Sequence, residues 1–103
     1  METTTVTPET LKTKQQINLI DNVFTASEAS NIINDVLKVK VNFHKIKRLS
    51  ITEGNADDKC EYDSGRIHEL LKEQEIAKDF FSQARLQGKK LKMTSTIHIE
   101  IED

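Results

Sequence analysis

The C-terminal stretch KLKMTSTIHIEIED (Lys90–Asp103) decides the fold, because it alternates between two kinds of side chain. An alternation of period two is typical of a β-strand with one face towards a core. The stretch therefore predicts a long amphipathic strand over 90–102. Its odd-numbered face is mainly apolar and consists of Leu91, Met93, Ser95, Ile97, Ile99 and Ile101.

The even-numbered face has opposite charges at its two ends. If two copies pair antiparallel about Thr96, Lys90 faces Glu102 and Lys92 faces Glu100, whereas a parallel pair would place like charges together. A self-complementary contact of this kind produces a C2 dimer. We therefore predict a homodimer with a sheet shared through 90–102; the alternative is a strand that stays within one chain and has a solvated polar face. The predicted interface comprises Lys90, Lys92, Thr94, Thr96, His98, Glu100 and Glu102.

The N-terminal half predicts a tail, a short strand and a helix. Residues 1–14 are rich in Thr and predict a mobile tail. Alternation over 15–21 predicts a short strand. Thr25 and Glu28 have the spacing of a capping box, which predicts a helix over 26–38.

The sequence predicts one or two further helices after this one. Helical spacing favours a second helix over 43–53 after a turn near 39–42, and a β-hairpin remains the alternative. A wide apolar face predicts a further helix over 64–87, with Asp63 or Ser64 as its N-terminal cap and Gly88 at its C-terminal end. The order of elements is that of an α+β fold with two to three helices, in a single domain over 15–103.

Composition and charge exclude several classes of protein. The net charge is −2 and the isoelectric point is about 5.9, so nucleic acid and anionic lipid exert no global attraction. The sequence contains no apolar run long enough to span a membrane. A single cysteine, Cys60, forms no internal disulfide, which predicts a cytoplasmic protein.

Three segments resemble a family of short bacterial proteins to which no activity is assigned. They are NFHKIKRLSITEG (42–54), RIHELL (66–71) and GKKLKMTSTIHIEIED (88–103). The resemblance implies a small domain of helices and strands over roughly Ile17 to Glu102. It implies no ligand and no functional residue.

Catalytic and metal-binding patterns do not emerge from the sequence. Cys60 lies among acidic residues, which disfavour a thiolate nucleophile. The acidic loop around it lacks the ligand spacing of an EF-hand, and the three histidines are too dispersed to form a local zinc signature. We therefore predict no enzyme activity, no metal and no cofactor.

Five cations fall between Lys38 and Arg48 with no acidic residue among them. If 43–53 is helical, His44, Lys47 and Arg48 share a face that suits an anionic ligand. The alternative is that the acidic residues of 53–63 balance these cations within the protein. The candidate ligand-binding residues are His44, Lys45, Lys47, Arg48 and Arg66.

These features lead to three functional hypotheses. The first is a small, non-enzymatic, self-associating protein that captures an anionic, nucleotide-like ligand or an acidic partner on its basic face. The second is a protein-interaction or regulatory module that acts through its strand edge or a helical face. The third is a nucleic-acid-binding helix-turn-helix over 27–53, which the acidic composition disfavours.

Overall fold

The computed structural model describes residues 13–103, so the predicted tail over 1–14 lies almost wholly outside the described residues. The elements follow the order β1 (Lys14–Thr25), α1 (Ala26–Gly54), α2 (Glu61–Leu86) and β2 (Lys90–Glu100). β1 and β2 form a two-stranded antiparallel sheet, which confirms the α+β class. The described chain divides into a strand unit, made of the residues up to Asn22 together with Lys92–Asp103, and a helical unit, Val23–Leu91.

Two contacts fix the register of the sheet at its distal end. The Ile101 N–H donates to the Thr13 carbonyl at 2.8 Å, and Thr96 Oγ1 donates to Asn18 Oδ1 at 3.4 Å. Both contacts indicate the same register, because Thr13 and Asn18 are five residues apart and so are Thr96 and Ile101. The long C-terminal strand is thus present, although it ends at Glu100 and not at 102. Its partner within the chain is β1, which spans twelve residues and not the short segment 15–21 that was predicted.

The half-buried positions of β2 are all odd-numbered, and its even-numbered residues are exposed. In β1 the half-buried residues are Ile20 and Phe24. At the surface, Lys92 Nζ lies 3.5 Å from Asp21 Oδ1, a contact that a long lysine side chain makes with a residue next to its opposite position. The side chains of β2 therefore keep one alternation along its length.

α1 begins where the sequence predicts. Thr25 Oγ1 accepts the Glu28 N–H at 3.1 Å, and the Thr25 N–H donates to Glu28 Oε1 at 2.9 Å, so both halves of the capping box are formed. Each bond satisfies an amide that a helix N-terminus otherwise leaves unpaired.

The predicted turn near 39–42 is wrong, because α1 continues without a break to Gly54. No Gly or Pro interrupts the sequence between Ala26 and Glu53. Adding residues to an existing helix is easier than starting a new element, and the slight penalty of Val39 and Val41 does not overcome that difference. Residues 13–103 therefore contain two helices, and the separate 43–53 helix, the β-hairpin and the helix-turn-helix over 27–53 are all overturned.

α2 starts three residues before the predicted position. The residue that precedes it is Cys60, in the left-handed conformation with φ 50°, and neither Asp63 nor Ser64 is the cap. The Cys60 N–H donates to Asp58 Oδ1 at 2.8 Å, which holds the entry to the helix. At the other end α2 stops at Leu86, and Gly88 adopts the left-handed conformation expected of it, with φ 64°.

The helical unit has a small core between its two helices. Val41, Ile67 and Leu70 form a buried cluster, against which Leu37 packs. Near the start of α1 and the end of α2, the buried side chains are Ala26, Ala29, Phe81 and Ala84. Much of the apolar surface of α1 and α2 therefore remains outside this core.

Candidate functional site

The five predicted ligand-binding residues do not converge on one surface. α1 turns about 100° per residue, so Lys45 and Lys47 project from different sides of the helix, and both are exposed. His44 is buried, and Arg48 is half-buried with its Nη1 donating to Ser64 Oγ at 3.3 Å. Arg66 pairs instead with Glu69 Oε2 on its own helix at 3.1 Å.

His44 forms a buried pair with Asp63 across the two helices. His44 Nδ1 lies 2.8 Å from Asp63 Oδ1, and the two side chains are only 3% and 8% exposed. Asp63 lies in the first turn of α2, where the free amides of the helix terminus favour a negative charge. The pair therefore joins the middle of α1 to the start of α2.

The second ring nitrogen of His44 has no partner within the described residues. Nε2 is fully buried and makes no hydrogen bond. The rings of Phe43 and Tyr62 lie edge-on to the imidazole, with centroids at 5.1 and 6.1 Å. Among the described residues, the Asp63 carboxylate is thus the polar group bonded to this buried imidazole, and it ties His44 to α2.

The thiol of Cys60 is held in an environment that suppresses its reactivity. Burial raises the pKa of Cys60 above its ordinary value, and the carboxylate of Asp58 acts in the same direction. Its Sγ lies 3.8 Å from the carbonyl oxygens of both Arg48 and Asp58. A thiol that resists ionisation is a poor nucleophile.

The outer side of α1 carries a continuous apolar stripe. Val36, Val39, Phe43 and Ile46 follow at intervals of three, four and three residues, and they are 44%, 70%, 55% and 68% exposed. Val39, Phe43 and Ile46 lie on average about 140° around the helix from the face that packs on α2, and Val36 lies at the border of that face. That side of a helix in a two-helix unit is normally polar. We call these four residues, with the 60% exposed Leu49, the outer stripe.

Basic groups border the outer stripe along one side. Lys40 Nζ lies 5.1 Å from the centroid of the Phe43 ring, within the range of a cation–π contact. Lys47 follows two turns later on the same side, and neither lysine has an ion-pair partner among residues 13–103. The stripe and its two lysines combine an apolar surface with uncompensated positive charge.

A second unpaired surface is the outer edge of β2. Within the described residues, β2 has β1 as a neighbour on one side only. The residues predicted to make the dimer interface are exposed; Glu102 lies beyond the end of the strand. Lys92 is near Asp21, and Thr96 contacts Asn18, but both contacts are within the chain and at the surface.

Residues 13–103 contain neither a cluster of metal ligands nor a membrane-spanning helix. Among residues 13–103 no three His, Cys, Asp or Glu side chains are grouped as a metal site would require. None of the described helices has the length and hydropathy that a membrane span needs. No family model, no curated protein and no solved structure matches this chain.

Sequence reasoning missed the outer stripe and the His44–Asp63 pair for different reasons. The spacing of Val36, Val39, Phe43 and Ile46 is visible in the sequence, but the predicted turn at 39–42 divided it. The pair joins residues 19 positions apart, and no local pattern marks it.

Proposed function

We propose that this protein is a non-enzymatic protein-interaction module that binds an acidic amphipathic helix of a partner on the outer side of α1. The observation that supports the proposal is the outer stripe, a row of large apolar side chains that one face of a continuous helix leaves exposed. Extended apolar patches on a small protein are typical of interaction sites. An amphipathic helix docks on such a surface through anchors spaced three and four residues apart.

The charges beside the stripe favour an acidic partner. Lys40 and Lys47 border the stripe, so glutamate or aspartate on the flank of a docked helix would meet positive charge. A second copy of α1 is a poorer occupant. If it ran antiparallel with the apolar residues matched, Lys40 would lie nearest its own counterpart. If it ran parallel, Asp35 would be the only acidic residue near Lys40.

The arrangement of the cations favours this function over a nucleotide-like ligand. A phosphate site needs several donors that point to one place. His44 and Arg48 are engaged with α2, and Lys45 projects from another side of α1 than Lys47 does. The exposed lysines therefore serve better as a charged border than as an anion pocket.

A pair of matched variants tests the proposal in the natural setting. The full-length protein is immobilised and exposed to lysate of the cells that express it, as wild type, Ile46→Glu and Ile76→Glu. Ile76 is an exposed isoleucine of α2 that lies outside the stripe, so it controls for the general effect of a new charge. We expect proteins with acidic amphipathic segments to bind the wild type and the Ile76 variant and to be lost from the Ile46 variant.

Synthetic peptides of defined sequence give the quantitative test. One peptide of about three heptads has leucine at the apolar positions and glutamate on both flanks; the other has lysine in place of glutamate. Fluorescence anisotropy should show at least tenfold tighter binding of the acidic peptide, equivalent to about 1.4 kcal/mol. Lys40→Glu with Lys47→Glu should remove that preference. Equal binding of both peptides, or binding that survives Ile46→Glu, contradicts the proposal.

A further inference from the structure

The free edge of β2 presents unpaired backbone groups in a regular row. Eleven residues, Lys90–Glu100, form this strand, and within residues 13–103 it pairs with β1 alone. Native proteins usually cover or blunt such an edge, because it can pair with a strand of another chain. Neither Pro nor Gly interrupts β2. The edge is therefore suited to pairing.

The register of the sheet determines which residues point to this edge. The Ile101 N–H donates to the Thr13 carbonyl, one residue beyond the ends of β2 and β1. If the antiparallel alternation continues from this bond, the backbone groups of the odd-numbered residues of β2 face β1. The N–H and C=O groups of Thr96, His98 and Glu100 then face the open side. The uninterrupted alternation of β2 places Thr94 and Lys92 there as well.

The charges of these outward residues select the second strand. In an antiparallel pair of two β2 strands, even-numbered residues can exchange hydrogen bonds only with even-numbered residues. Among such registers, the one centred on Thr96 sets Lys92 against Glu100 twice and Thr94 against His98 twice. The register that the charges favour is thus one that the backbone of the free edge allows.

The sheet also gains a continuous apolar face from this pairing. Ile17, Leu19, Ile97 and Ile99 are all more than 40% exposed in the two-stranded sheet. Two strands form a sheet of marginal stability, and three or more with an apolar face are needed for independent stability. A second copy would produce four strands in the order β1, β2, β2, β1.

We propose that the free edge of β2 pairs antiparallel with β2 of a second copy of this chain, with Thr96 on the two-fold axis. The interface uses the strand unit, whereas the partner-binding surface proposed above lies on α1. The two proposals therefore stand or fall separately.

A cysteine at the axis tests the proposal directly. Residues of a hydrogen-bonded antiparallel pair have Cα atoms about 5.5 Å apart, which a disulfide can bridge. Thr96→Cys should give a disulfide-linked dimer under mild oxidation. The wild type should not, because its buried Cys60 is the single thiol it contains.

Neighbouring positions provide the control for register. In the proposed dimer, the two copies of Thr94 are four residues apart along the strands, or about 13 Å, so Thr94→Cys alone should not link. The double variant Thr94→Cys, His98→Cys should link, because those positions face each other across the interface. If Thr94→Cys links as readily as Thr96→Cys, the register is wrong and the proposal is overturned.

Light scattering of the wild type decides whether the dimer exists. At tens of micromolar, the expected mass is twice the 11.8 kDa of one chain. A monomer overturns the proposal. So does a dimer that Ile46→Glu abolishes and Thr96→Cys does not link, because the second copy would then occupy the outer stripe.

A charge exchange adds an energetic test of the same register. Glu100→Lys places like charges at two symmetric positions, and we expect the dimer dissociation constant to rise about 2- to 30-fold. Lys92→Glu in the same chain should restore most of the lost affinity. Failure of the second change to restore affinity contradicts the pairing of Lys92 with Glu100.

Discussion

The inner and outer faces of α1 differ in a way that is unusual for a small protein. The inner face, which meets α2, buries Ala29, Val41 and His44, and Leu37 packs beside them. The outer face exposes the larger Phe43 and Ile46. In a protein that acts alone, the larger apolar side chains are expected inside. The difference indicates that α1 has two packing surfaces, of which its own chain fills one.

The largest expected effect is the loss of stability when a buried leucine of α2 is truncated, compared with its exposed neighbour. Leu70 is 8% exposed in the core and Leu71 is 46% exposed. Leu70→Ala should lower the free energy of unfolding by about 2–4 kcal/mol, because it leaves a cavity beside Val41 and Ile67. Leu71→Ala should cost less than about 1 kcal/mol. Urea unfolding measures both losses. Similar values would show that the buried and exposed faces of α2 do not differ in packing.

The next effect concerns the polar contact of the inner face. Asp63→Ala leaves Nδ1 of the buried His44 without its acceptor and should cost about 1–3 kcal/mol. Glu61→Ala is the matched control, since it removes an acid from the same turn of α2 that is exposed and outside the pair.

A double variant isolates the His44–Asp63 interaction. His44→Leu with Asp63→Leu removes both polar groups, so it should destabilise the protein by less than the sum of the single changes. Additive losses would mean that the two side chains do not stabilise one another.

The smallest effect is the pH dependence that Cys60 contributes at the end of the inner face. Burial, followed by the charge of Asp58, raises the pKa of the thiol above its ordinary 9.0 in the folded state. The unfolded chain therefore loses this proton at lower pH than the folded protein does, and alkaline pH favours unfolding. The stability of the wild type should fall relative to Cys60→Ser as pH rises past about 9. Unfolding curves from pH 7 to 10 measure this, and parallel pH profiles would rule it out.

Local signals predicted the ends of the elements well where a specific residue type was required. The capping box at Thr25 and Glu28 and the left-handed Gly88 are formed as expected, because each depends on chemistry within a few residues. The start of α2 was placed late, since Cys60 adopts a left-handed conformation that side-chain preference does not predict.

The candidate site was less accessible to prediction from sequence. The pattern KVKV at 38–41 suits both a turn into a strand and a continued helix, and packing of Val41 on α2 favours the helix. That outcome moved His44 from a basic surface to the interior. It also joined Val36 and Val39 to Phe43 and Ile46 in one stripe.

The sequence by itself determined the α+β order of elements, the alternation of β2 and the opposite charges at the two ends of its polar face. These features depend on neighbouring residues and on the periods of strand and helix, which every chain shares. Only the tertiary structure decided that β1 pairs with one edge of β2, that His44 pairs with Asp63, and that α1 exposes the outer stripe. Each of these depends on which distant segment a side chain meets. Which face of an apolar helix is buried cannot be predicted until the segment that packs against it is known.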